Sequence, residues 1–365
     1  MTPPLDPAGQ KLWKRVQALV DRGAEASGDA TSIGALALEL FAWQRTQCRS
    51  IDRVARVFLG ARTVQDLDDI PGVPTDAFKA TRICCFEEHR AVRIFRTSGT
   101  TLDVKGEHLL LDTTLYAKAA LESARLHLLP LGAYRFILLA GNESEAPESS
   151  LSFMLARFAE RFACQSDSNP WMVRKGELAV DRCKRAFEDA ERDGSPVALL
   201  GATFAFVHLA DALGDWRVQL PKGSVVMPTG GFKGRSRELS PAELFQLIGR
   251  QFGVPRTAIV QEYGMTELSS QAYEAHALGL PAGVYVAPPW MMVTPMDPNT
   301  LRPVPLETPG ILRIIDLANV SSCIAIQTAD LGVTRAGGFE VLGRVPGATP
   351  RGCARALDAV LSGVT

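Results

Sequence analysis

The sequence predicts an α/β protein: a wound, largely parallel sheet with a β subdomain following it. Three observations predict this. Between residues 91 and 275, short continuous apolar runs alternate with stretches of helical period. The runs Arg135-Phe-Ile-Leu-Leu-Ala-Gly, Pro196-Val-Ala-Leu-Leu-Gly and Ser224-Val-Val-Met-Pro-Thr-Gly-Gly each close on glycine, as strands buried on both faces of a parallel sheet do. From residue 281 onward, prolines at 281, 288, 289, 295, 298, 303, 305 and 309 cut the chain into short apolar pieces, which reads as antiparallel strands and turns.

In chain order, the first 90 or so residues read as a helical layer. Leu12, Val16 and Val20 form one stripe of a helix over 11–22, and Leu36, Leu40 and Trp43 one stripe of a second over 33–47. A short third helix is expected over 54–59, and Ile70-Pro-Gly-Val-Pro-Thr-Asp is an irregular connection. None of this region carries recognisable chemistry. Further helices are expected over 112–129, 151–163, 181–192 and 241–252, the last with Ser240 as its N-cap. Thr257-Ala-Ile-Val-Gln-Glu-Tyr-Gly reads as one more strand running into a turn. Gly283-Val-Tyr-Val-Ala, Gly310-Ile-Leu-Arg-Ile-Ile, 327–332 and 337–344 supply the β subdomain, and the tail from 345 holds one short helix at most.

The bulk numbers narrow the classes. The chain has 365 residues, 46% hydrophobic and 22% charged, long enough for two domains. A formal net charge of −1 gives no general attraction to nucleic acid or to an anionic membrane, so any phosphate ligand needs a local site. The amino terminus does not read as a secretory signal, and no run approaches the ~20 apolar residues of a membrane span. Seven cysteines, an odd number, form neither a disulfide framework nor a C-x-x-C zinc pattern; a cytoplasmic, thiol-reduced protein is expected.

Loops at the carboxyl ends of wound-sheet strands gather the ligand-binding groups. The most polar of these is Arg96-Thr-Ser-Gly-Thr-Thr-Leu-Asp-Val-Lys-Gly, where Ser98, Thr100 and Thr101 surround Gly99 after an apolar run. Clustered hydroxyls and backbone N–H groups suit phosphate oxygens, and they equally suit a solvated turn. The spacing is neither the nucleoside-triphosphatase loop nor the dinucleotide fingerprint. In Gln261-Glu-Tyr-Gly-Met-Thr-Glu-Leu, Tyr263 is either a core aromatic or a ring for a nucleobase. Glu267 is either a dipole-favoured helix-start charge or a Mg²⁺ ligand beside the Thr266 hydroxyl. Asp330, in Thr-Ala-Asp-Leu-Gly, reads as a carboxylate in a tight turn, able to take ribose hydroxyls or simply to form the turn. Arg344 is a fixed-fork cation downstream. Lys233, Arg235 and Arg237 make a basic loop, His208 reads as a satisfied core histidine, and Phe204, Phe206 and Val207 suggest an apolar pocket.

Taken together, Thr97-Ser-Gly-Thr-Thr, Gly230-Gly231, Tyr263-Gly-Met-Thr-Glu, Asp330-Leu-Gly and Gly343-Arg344 follow the order and approximate spacing of the adenylate-forming superfamily of acyl-CoA synthetases, adenylation domains and luciferases. Over roughly residues 60–355 the chain most resembles the LuxE-type acyl-protein synthetases of bacterial luminescence. The resemblance implies an adenylate-forming domain over 1–342 and a rudimentary C-terminal segment over 343–365. Superfamily members carry a larger C-terminal domain with a catalytic lysine, and no lysine follows Arg344 here.

The resemblance also assigns roles. Ser98, Gly99, Thr100 and Thr101 would hold the β- and γ-phosphates of ATP. Gly230 and Gly231 would line the adenine, with Tyr263 stacked on it. Thr266 would contact the α-phosphate or the carboxylate, Glu267 would bind Mg²⁺, Asp330 would hold the ribose, and Arg344 would lie near the hinge. Cys353 matches the acyl-accepting thiol of that family; read from the residues alone it is also a small buried residue of a terminal helix. Arg351 and Arg355 beside it are expected to lower its pKa. The activity implied is ATP-dependent formation of an acyl-adenylate from a carboxylic, in particular fatty, acid and transfer to a protein thiol, with an acyl reductase or acyl-carrier protein as partner. The alternatives are an acyl- or aryl-CoA ligase and a non-catalytic nucleotide-binding subunit.

Overall fold

The computed structural model describes residues 5–97, 104–164, 169–231, 236–345 and 351–362. The chain is α/β and divides into two compact units. The first comprises 1–123, 264–272 and 283–365; the second comprises 124–263 and 273–282.

The first unit begins with the helical layer. The helices Pro7–Arg22, Ala30–Gln47 and Arg49–Leu59 form as the apolar stripes predict. Asp6 caps the first, its carboxylate accepting the Gly9 N–H at 2.7 Å and the Trp43 indole N–H at 2.9 Å. The unit's main sheet is antiparallel, in the order Met291–Met296, Gly310–Asp316, Ala325–Arg335, Gly338–Arg344, Val284–Val286. The proline-rich stretch therefore does form antiparallel strands and turns. The connection over 70–76 adds a two-residue strand, Val73–Pro74, parallel to the Ala325–Arg335 strand, with Val73 opposite Ile326. Buried Arg313 secures that edge, donating to the carbonyls of Asp68 at 3.2 Å and Ile70 at 2.9 Å. The tail helix, Arg351–Leu361, packs on the Arg49–Leu59 helix, and the Arg355 guanidinium lies 5.1 Å from the Phe58 ring centre.

In the second unit, Arg135–Leu139, Val197–Ala202 and Val225–Thr229 pair in parallel, in that order. Ile137, Leu199, Val226, Phe187, Phe206, Val207 and Phe252 meet in one core, which is why these strands are apolar throughout rather than alternating. Phe206 and Val207 are spent in that core, so of the three residues expected to line a pocket only Phe204 is partly accessible. The helix Pro241–Phe252 starts at a complete capping box: Ser240 accepts from the Glu243 N–H, and Glu243 returns the bond to the Ser240 N–H at 2.7 Å.

Two local expectations are corrected. The stretch 257–264 is not one strand. A 3-10 turn at Arg256–Ala258 leads to a single bridge at Ile259 and then to the two-residue strand Glu262–Tyr263. Asp330 is not in a turn but inside the Ala325–Arg335 strand, directly opposite Arg344. The Gly332 that suggested a turn serves a register shift between Leu331 and Gly332, and a side chain there would meet the Glu340 carbonyl oxygen at 2.6 Å.

Candidate functional site

Within the first unit, the strands Arg93–Arg96 and Glu107–Leu110 form an antiparallel hairpin around the hydroxyl-rich loop. Its mouth is closed twice. Thr97 donates its N–H to the Gly106 carbonyl at 2.9 Å, and the Gly106 N–H donates to the Thr97 hydroxyl at 2.9 Å. Glu107 receives Arg96 at 2.8 Å and Arg82 at 2.8 Å, so these three side chains carry one net positive charge at the hairpin base. Ser98, Gly99, Thr100 and Thr101 lie outside the described residues.

The next residue of that hairpin, His108, is fully buried, and its Nδ1 lies 2.8 Å from the Thr266 carbonyl oxygen. Burial pushes its pKa down to about 4, so the imidazole is neutral at ordinary pH. Glu267 follows. It is 6% exposed, and desolvation raises its carboxyl to about 7, opposed by its own backbone N–H and by the charges of Arg344 and Lys79, while Asp76 adds to the rise. The helical layer, which sequence reading left without chemistry, thus supplies Lys79 and Asp76 to this carboxylate. Asp330 accepts from the Arg344 Nε at 3.3 Å; the arginine side chain is largely exposed and the aspartate largely buried. Glu267, Asp330 and Arg344 are therefore brought together, with Thr266 tied to the hairpin.

A buried polar network supports this segment. Asp316 accepts the N–H groups of Ser269 at 2.9 Å and Ser270 at 2.8 Å, the Ser270 hydroxyl at 2.7 Å and the Ala318 N–H at 3.0 Å. Asn319 donates to the Glu267 carbonyl at 2.8 Å and accepts the Ser269 hydroxyl at 2.6 Å. Gln44 donates to the carbonyls of Asn319 and Val320, each at 2.9 Å, and accepts the Ile324 N–H at 3.0 Å. Each group satisfies another, which is the condition for burying them. None was identified from the sequence.

In the second unit, Gly230 follows the Val225–Thr229 strand with φ of 67°, a conformation open to glycine. Buried Thr203, at the start of the Thr203–Leu213 helix, donates its hydroxyl to the Gly230 carbonyl at 2.7 Å. Tyr263 is buried. Beside it, Glu262 hydrogen-bonds the Thr229 hydroxyl, and desolvation lifts its carboxyl to about 7. Sequence reading passed over Glu262 although it adjoins a motif residue. Gly231 is exposed, Lys233 and Arg235 lie outside the described residues, and Arg237 is paired with Asp211 at 2.9 Å. His208 is exposed, edge-on to Phe204, and is not the core histidine expected.

Cys353 points inward from the tail helix among Met296, Leu301 and Ile311, with Phe58 and Val345 against them. The expected pKa lowering by Arg351 and Arg355 is overturned. Burial, with a smaller push from the Asp76 charge, raises the thiol from 9.0 to about 11, and neither arginine contributes. Arg355 is turned onto Phe58 instead.

Known proteins share this architecture. The chain is 22% identical over 298 residues to the long-chain-fatty-acid–luciferin-component ligase of Vibrio harveyi, covering 78% of this chain and 74% of that protein. An open conformation of 2-hydroxyisobutyryl-CoA ligase with 2-HIB-AMP and CoA superposes with a TM-score of 0.56 at 15% identity, over 84% of this chain and 74% of that one. ATP-bound MatB from Rhodopseudomonas palustris is matched over 71% of this chain at a TM-score of 0.48 and 15% identity, and the chain spans only 49% of that protein. The first superposition shows that the chain shares the fold of that ligase. The family model for acyl-protein synthetase, LuxE, matches residues 149–362, more than half of the sequence, and the chain belongs to that family.

Proposed function

We propose that the protein is an ATP-dependent acyl-protein synthetase that converts a fatty acid to its acyl-adenylate and passes the acyl group to a protein thiol. The observation that carries this reading is the Glu267 site: a buried carboxylate that feels the charges of Arg344, paired with Asp330, and of Lys79, paired with Asp76, and that adjoins Thr266, which is tied to the hairpin. The substrate carboxylate attacks the α-phosphorus of ATP, the bond from that phosphorus to the α,β-bridging oxygen breaks, and pyrophosphate leaves; the acceptor thiolate then attacks the acyl carbonyl and AMP leaves. Positioning and charge neutralisation supply the catalysis. In this reading Ser98, Gly99, Thr100 and Thr101 hold the departing phosphates, Thr266 the α-phosphate, Asp330 the ribose, with Arg344 beside it, and Gly230, Gly231 and Tyr263 the adenine. The fatty-acid substrate follows the name of the Vibrio harveyi relative.

The residues present fit Mg²⁺. Among the described residues no group of three or more acidic, cysteine or histidine side chains is arranged to hold a metal on its own. Glu267 offers a hard oxygen donor in a desolvated place, where a divalent cation would offset the cost of its charge and phosphate oxygens would complete the shell. When bound, the ion supplies neutralisation of the phosphate charge. Arg344 and Lys79 place positive charge in the same neighbourhood, each partly offset by its own partner, Asp330 and Asp76.

No described helix is long and apolar enough to cross a membrane. The reading places the enzyme in the cytoplasm, working beside an acyl reductase or acyl-carrier protein that receives the acyl group. A second reading, in which CoA or another free thiol is the acceptor, is favoured by one observation: Cys353 is buried and its pKa is raised. Acid-dependent pyrophosphate exchange into ATP across an acid panel, with intact-protein mass spectrometry of wild type and Cys353→Ala, tests both. Exchange with fatty acids plus a Cys353-dependent acyl adduct is expected. No exchange with any acid refutes adenylation, and an adduct on Cys353→Ala refutes Cys353 as acceptor.

A further inference from the structure

Glu267 is held by its two flanking carbonyls. Its own carbonyl receives Asn319, part of the buried network. The preceding carbonyl, that of Thr266, receives the His108 ring from the hairpin at 2.8 Å. A carbonyl oxygen accepts and cannot donate, so the His108 Nδ1 carries the proton and Nε2 bears the lone pair. That Nε2 has no hydrogen-bond partner among the described residues, although the ring is completely buried with the Phe78 ring edge-on to it. A buried acceptor without a donor costs stability, so a residue chosen for packing alone would not be a histidine. What the imidazole contributes is the Nδ1–H directed at Thr266.

The Thr266 carbonyl and the Glu267 N–H belong to one rigid peptide unit. The N–H side of that unit hydrogen-bonds the Glu267 carboxylate itself. Fixing the carbonyl therefore fixes the N–H, and the N–H orients the carboxylate. The ring that does this sits two residues after Gly106, which closes the mouth of the hydroxyl-rich hairpin.

We propose that His108, as the Nδ1-protonated tautomer, is the positioning residue that sets the Thr266–Glu267 peptide, and with it the Glu267 carboxylate, in register with the hairpin. The role rests on the nucleotide-binding reading of that site, and it adds a residue that none of the recognised motifs contains. His108→Asn keeps a side-chain N–H near the Nδ1 position, His108→Gln moves it to the Nε2 position, and His108→Leu removes it.

The test combines three measurements on the full chain. Nitrogen-15 NMR of the histidines reads the tautomer, and calorimetry with MgATP reads affinity. Pyrophosphate exchange reads KM for MgATP and for the acid separately. His108→Leu and His108→Gln are expected to weaken MgATP by about 10- to 100-fold, the usual cost of losing a partner behind a metal-binding group. The acid KM should stay unchanged, and His108→Asn should retain most of the wild-type affinity. An Nε2-protonated tautomer, wild-type MgATP affinity in His108→Leu, or His108→Asn no better than His108→Gln overturns the inference. Thermal melts check folding, and if His108→Leu does not fold, the Asn and Gln variants decide. A wild type that binds MgATP without exchanging refutes adenylation while affinity still judges His108; a wild type that does not bind MgATP refutes both.

Discussion

The tail helix makes a sharp kinetic prediction about Cys353. Its thiol lies among Met296, Leu301 and Ile311, and burial carries its pKa from 9.0 to about 11. Two pKa units below both values mean about 100-fold less thiolate at any neutral pH, before access of the reagent is counted. Docking of the helix depends on Gly352. Its N–H donates to the Pro298 carbonyl at 3.0 Å, and a Cβ there would stand 2.8 Å from that carbonyl oxygen and 2.7 Å from the Leu301 Cγ. Since the carbonyl is backbone and cannot yield as a side chain would, Gly352→Ala should lift this end of the helix away. The assay is iodoacetamide labelling across a neutral-to-alkaline pH series, read at each of the seven cysteines by peptide mass spectrometry. Wild-type Cys353 should label at least about 100-fold more slowly than a small free thiol at about pH 7.5, with its rate still rising tenfold per pH unit beyond 9. Gly352→Ala should label faster, its midpoint falling toward 9. Wild-type Cys353 labelling at the free-thiol rate, or a Gly352→Ala profile identical to wild type, would refute the account of burial as the dominant cause.

Two further outcomes are expected. Asp316→Asn places an amide N–H₂ against N–H and hydroxyl donors that now converge on a carboxylate, so it should destabilise the chain by about 2–4 kcal/mol in chemical denaturation; a loss below about 1 kcal/mol would mean the network relaxes freely. For Glu262 the sign runs from a folded pKa of about 7 above an ordinary 4.5. The folded state holds the extra proton between those values, so the carboxyl's contribution is full below 4.5 and is lost as pH rises through 7. Glu262→Gln, which keeps a neutral hydrogen-bonding group beside Thr229, should raise the melting temperature relative to wild type above pH 7. The gain should vanish near pH 4.5, and a gain independent of pH would contradict the assignment.

Elements whose cause is local were legible. The run Val197–Ala202 is apolar throughout because both faces are covered, and the Ser240 cap with Glu243 three residues on is a complete signal within four residues. The family motifs likewise sit in short windows. Elements whose cause is distant were not. Gln44 meets Asn319 and Ile324 across the fold, and Asp316 meets Ser269 and Ser270, pairings that leave no periodic trace. His108 and His208 both stand in apolar surroundings in the sequence, yet one is completely buried against Thr266 and the other is exposed on a helix. Which face of an element points inward decided that, and a single histidine in a short strand or helix carries no such information.

The shifted acidities share one physical cause. A sequence window displays charges, such as Arg351 and Arg355 around Cys353. It does not display the surrounding dielectric. In the fold, desolvation is the leading cause at Cys353, Glu267 and Glu262 alike, and it raises all three. Cys353 is the clearest case, because a neighbouring arginine in sequence is turned onto an aromatic ring in space and contributes nothing to the thiol. For Glu267 the same desolvation has the opposite value. A carboxylate that resists ionising alone gains most when a cation arrives, so the desolvation that lowers the thiolate fraction of Cys353 in the docked helix suits the role proposed for Glu267.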